Sequence, residues 1–68
     1  MAFSPGDKVK LKEASPPAAK GDCGHVRTMV GSSIIVRITK KADCSDYVLP
    51  FVIGPLPQNA FEACDCPD

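Results

Sequence analysis

Aromatic rings, histidine, net charge and long apolar runs are all scarce in this sequence, and each shortage removes a class of function. Three phenylalanines and one tyrosine are the only aromatics; a core needs most of them, and few are left to line an aromatic groove. The single histidine, His25, stands near Cys23 with no recognisable third group to orient it, so a cysteine nucleophile is not expected. Paired acids and phosphate-binding glycine loops are also missing, because Gly31, Ser32 and Ser33 read as a hairpin tip, and the protein is not expected to be an enzyme. Eight basic side chains balance eight acidic ones, so no global field draws the chain to nucleic acid or to an acidic membrane. No segment approaches the roughly 20 apolar residues of a membrane span, and the opening MAFSPGDKVK lacks an apolar run. A cytoplasmic setting is expected, with cysteines reduced or metal-bound rather than bridged. Outside the cytosol, four cysteines would permit three pairings.

Against these shortages, 44% hydrophobic residues with 24% charged ones describe a globular chain. Seven prolines and five glycines break it into short elements and exclude long helices. At 68 residues it makes one core, and a domain of that size buries only about 60% of its unfolded surface.

Alternation of apolar and polar residues identifies strands. In Asp7 to Lys12, Val9 and Leu11 point one way and Lys8, Lys10 and Lys12 the other, and such lysines discourage edge-to-edge pairing, in keeping with a monomer. Glu13 to Asp22, stiffened by Pro16 and Pro17, is either a packed hairpin arm or a functional loop. Gly21 to Ile38 reads as two strands around a tight turn. A three-residue loop, Gly31 to Ser33, or the equivalent five-residue register, sets Val30 opposite Ile34, Thr28 opposite Val36 and Val26 opposite Ile38, which makes one face almost wholly apolar. Asp46 to Ile53 is the most apolar run, and Pro50 makes it an edge strand, a bend or a bulge. Gly54 to Asn59 reads as a turn, followed by a short 3₁₀ turn near Gln58 to Ala60 and a last strand from Phe61 to Cys64. Residues 1–64 form the domain, and 65–68 a fraying tail.

Taken together, PGDKVKLKE (Pro5 to Glu13), GDCGHV (Gly21 to Val26) and IIVRI (Ile34 to Ile38) resemble the KOW-type, SH3-like small barrels. Gly6, Asp7 and Val9 match the opening strand of those families, and Gly21, Gly24 and Val26 the turn into the second. The resemblance implies an all-β, five-stranded, partly open SH3-like barrel with a short 3₁₀ turn before the last strand. The expected core is Val9, Leu11, Val26, Ile34, Val36, Ile38, Leu49, Phe51 and Phe61. Relatives of this shape serve as ribosomal, transcription-factor and electron-transfer modules, so the shape does not choose a function.

Two constellations carry chemistry. The argued register puts Arg27 opposite Arg37 on the outer face, beside His25, Met29 and Ile35. Two facing cations with an apolar margin suit a protein partner's carboxylate or phosphate; the alternative is that both arginines splay into water over their stems or pair with Asp43 or Asp46. The second set is Cys23, His25, Cys64 and Cys66, four ligands for tetrahedral zinc if the fold gathers them; the alternative is buried, unligated thiols. The expected function is a non-catalytic interaction module or accessory subunit without a cofactor. A small zinc-binding domain is the first alternative, and a KOW-type nucleic-acid module the second.

Overall fold

The computed structural model describes residues 3–66. It contains five strands in one antiparallel sheet: β1 (Lys8–Leu11), β2 (Cys23–Val30), β3 (Ser33–Lys40), β4 (Asp46–Pro57) and β5 (Phe61–Ala63), with a 3₁₀ turn at Gln58–Ala60 before the last. The order across the sheet is β4-β3-β2-β1-β5, and the sheet is not closed. Four strands follow one another as a meander; the fifth returns to pair with the first, Leu11 opposite Phe61 and Lys10 opposite Glu62. A Lys10–Glu62 ion pair of 3.4 Å reinforces that last pairing.

The β2–β3 turn differs from expectation. Val30 pairs with Ser33, so the loop is the two residues Gly31 and Ser32. Parity is restored by a bulge instead: Val26 faces Val36, Thr28 faces Ile35, and Arg27 between them is the extra residue. One inserted residue reverses which side chains face inward, so Met29 joins Val26 on the core side, opposite Ile34. An apolar inner face is reached by a route that alternation alone does not reveal.

β4 departs further. Lys40 pairs with Asp46 and Ile38 with Phe51, so residues 47–50 bulge out opposite Thr39. Leu49 therefore stands 80% exposed rather than in the core, and Ile53 takes its place. Phe51 is half-buried against the core edge. Of the stretch expected to be a turn, Gly54 to Asn59, the part up to Pro57 continues the strand and the rest begins the 3₁₀ turn. An edge strand has one row of N–H groups to satisfy, which leaves room for its prolines. The remaining expected core residues, Val9, Leu11, Val26, Ile34, Val36, Ile38 and Phe61, are each no more than 2% exposed.

The connection from β1 to β2 is a packed arm. Ser15 and Ala18 exchange backbone hydrogen bonds around a cis Pro16–Pro17 peptide, and Ala18 is buried in the core. Asp22 closes the arm: its Oδ2 accepts from the Ala19 N–H at 2.9 Å and from the Tyr47 hydroxyl. The carboxylate is 1% exposed, and burial of such a group requires these donors. Tyr47 also packs edge-on against Phe51, ring centres 5.1 Å apart.

Candidate functional site

Two features stand out. The first is an outer cross-strand row. Lys8 on β1 pairs with His25 on β2, His25 with Arg37 on β3, and Arg37 with Val52 on β4. Arg37 is exposed, His25 half-buried and Val52 44% exposed. Arg27, exposed at the bulge, has no strand partner position and does not lie opposite Arg37. Ile35, half-buried, pairs with Thr28 one step along. The expected surface thus keeps His25, Arg27, Ile35 and Arg37; it loses Met29, which packs against the core, and gains Lys8 and Val52. The row sets Lys8 and Arg37 on either side of His25 across β1, β2 and β3. Of the acids considered as arginine partners, Asp46 accepts from Lys40 at 2.7 Å. Asp43 accepts from the Ser45 hydroxyl and from its N–H at 3.0 Å, and these hydrogen bonds, the side-chain one foremost, hold the Asp43 carboxyl below its ordinary range.

The second feature is a four-sulfur cluster under one end of that row. Cys23 is bonded to Cys64, and Cys44 to Cys66, with Cα separations of 6.2 and 5.5 Å; the thiols expected to be reduced are bridged. The two bridges touch, since Cys23 Sγ lies 3.6 Å from Cys66 Sγ. Cys23, Cys64 and Cys66 are all at most 9% exposed. Cys66 is therefore anchored rather than fraying, and its carbonyl also accepts from Lys8 Nζ at 3.2 Å; residues 67 and 68 of the expected tail lie outside the described residues. Of the expected metal set, three cysteines converge. His25 lines the same small cavity but is not among the converging ligand atoms. The fourth sulfur belongs to Cys44, at the tip of the β3–β4 turn.

Cys44 is delivered by local backbone chemistry. The turn closes with Cys44 N–H to the Lys41 carbonyl at 2.9 Å and Lys41 N–H to the Ser45 carbonyl at 2.7 Å. Cys44 itself takes a left-handed backbone, φ 71°, uncommon for a residue with a side chain. Its position in a polar turn, far in sequence from the other cysteines, carries no spacing signal; only the even cysteine count hints at it. The cavity between the sulfurs and the Lys8, His25 and Lys40 side chains is about 10 Å³, space for about one water and no substrate.

Fold and site define a small antiparallel β domain with an open sheet, a cationic outer row and a buried sulfur cluster. No protein-family model, curated protein or solved structure matches the chain.

Proposed function

We propose that the protein is a non-catalytic interaction module or accessory subunit, an SH3-like, partly open barrel that docks an acidic protein partner on its outer face. The meander β1 to β4, with β5 returning past a 3₁₀ turn to pair with β1, supports the barrel reading. The row Lys8, His25, Arg37, ending on exposed Val52, carries the functional one. The exposed Arg37 presents its guanidinium to carboxylates with Lys8 and His25 in register beside it, Arg27 at the bulge adds a second guanidinium, and Val52 with Ile35 offers an apolar anchor. Such a surface sets orientation and encounter rate through charge, and affinity through the apolar contact.

The test is capture from the native host by immobilised wild type and by the variant Arg27→Glu with Arg37→Glu. The expected result is an acidic protein retained by the wild type, lost from the variant, and released by salt. Equal retention by a folded double variant removes this face as the docking surface.

A further inference from the structure

The disulfides describe the four cysteines in one redox state, and their arrangement describes a second. We propose that Cys23, Cys44, Cys64 and Cys66 form a tetrathiolate zinc site when reduced, interconverting with the two bridges. The proposal is independent of the docking surface.

Zinc with four thiolates has Zn–S bonds of about 2.3 Å, which in a tetrahedron separates the sulfurs by about 3.8 Å. Cys23 and Cys66 Sγ are already 3.6 Å apart, though not bonded to each other. The Cys23, Cys64 and Cys66 sulfurs lie within 4.8 Å of one another, and Cys44 is bonded to one of them. A disulfide holds its sulfurs about 2.05 Å apart, so each bridged pair must open by roughly 1.7 Å, a distance side-chain rotation covers. Two independent disulfides need no such proximity; three sulfurs already converge, and Cys44, packed against them and bonded to Cys66, supplies the fourth that a single ion requires.

The surroundings suit the charge. A zinc tetrathiolate is dianionic in an otherwise neutral chain. Lys8 and Lys40 line the cavity beside the sulfurs, and neighbouring ammonium groups favour thiolate over thiol. The left-handed backbone at Cys44, φ 71°, is locally strained for a residue with a side chain and is sustained where surrounding structure or a ligand demands it.

The chemistry balances in two steps. Two dithiol reductants each give two electrons and two protons to a bridge, becoming cyclic disulfides and leaving four cysteine thiols. Zinc then displaces four protons to give the dianionic complex. In the reverse direction two molecules of hydrogen peroxide take four electrons from the complex and, with four protons from solvent, leave as water, while two disulfides form and the zinc ion departs.

The experiment reduces the full chain with a dithiol, desalts it anaerobically, and titrates cobalt(II) and then zinc. Expected are one cobalt per chain with the strong absorption of a tetrahedral tetrathiolate, displacement by zinc, and X-ray absorption fitting four sulfurs at about 2.3 Å. His25→Ala is expected to leave the spectrum unchanged, whereas Cys44→Ser loses the tetrathiolate bands. X-ray absorption on the wild type reads the same distinction without relying on a variant's folding. No stoichiometric metal uptake, or a three-sulfur, one-nitrogen site abolished by His25→Ala, overturns the proposal.

Discussion

Replacing Gly24 by alanine tests the tight crossing of β2 and β3 more sharply than any core truncation. A Cβ at Gly24 would lie 2.0 Å from the Arg37 carbonyl oxygen, 2.7 Å from its carbon and 2.8 Å from Ile38 Cα. Non-bonded carbons settle at about 3.5–4.0 Å, so the two backbones must part by on the order of 1 Å. No rotamer relieves the contact, because both parties are main chain. Parting them loosens the Gly24–Ile38 and His25–Arg37 pairings and uncovers Ile38 and Val9, each fully buried. Two ladder hydrogen bonds at about 1 kcal/mol each and a packing loss of about 1–3 kcal/mol sum to roughly 3–5 kcal/mol. A domain of this length has roughly 3–10 kcal/mol in all, so the variant sits at the edge of folding. Urea denaturation of the oxidised protein, followed by circular dichroism, measures it, with a melting temperature lower by on the order of 15–30 °C as the companion reading. Gly31→Ala is the control. That residue has φ +61° but open space around it, so its penalty is the left-handed backbone alone, about 1 kcal/mol. A Gly24→Ala protein within 1 kcal/mol of wild type, or more stable than Gly31→Ala, refutes the steric argument.

Other positions separate the fold's real core from its apparent one. Ile53→Ala is expected to lower stability by about 2–4 kcal/mol, whereas Leu49→Ser, at a site 80% exposed, changes it by less than about 0.5 kcal/mol; matched urea titrations decide. Replacing Cys44 and Cys66 by serine removes a bridge with a sequence separation of 22 and lowers oxidised-state stability by about 3 kcal/mol, read as a fall in the denaturation midpoint. Asp22→Ala frees the Ala19 N–H and the Tyr47 hydroxyl, a loss of about 2–3 kcal/mol by the same measurement. The hydrogen bond to Asp22 raises the Tyr47 pKa above 10.0. A proton held more tightly in the folded state stabilises fully below pH 10 and is lost as pH climbs through the raised value. The difference in midpoint between wild type and Tyr47→Phe therefore narrows above pH 10, and a constant difference contradicts the assignment.

The candidate surface was legible only in part. Arg37, His25 and Ile35 keep to one face because β3 runs without interruption from Ile35 to Arg37 and the His25–Arg37 pair lies on the near side of the β2 bulge. Met29 lies beyond that bulge, and its phase is reversed. Lys8 and Val52 join the row from β1 and β4, positions that depend on how three separate pairings align.

What the sequence determined by itself is which segments are extended and most of the aliphatics they bury, since alternation is a local property that period two encodes directly. The glycine at position 24 and the 3₁₀ turn after Pro57 were equally visible there. Tertiary structure alone decided the phase of each strand beyond Arg27 and across residues 47–50, because a bulge arises from hydrogen bonding to the neighbouring strand and leaves no mark in the alternation itself. It alone brought Cys44 to the other sulfurs. Their meeting requires β5 to close on β1 while the β3–β4 turn folds over the same end, and residues so distant in sequence share no spacing that local chemistry could read.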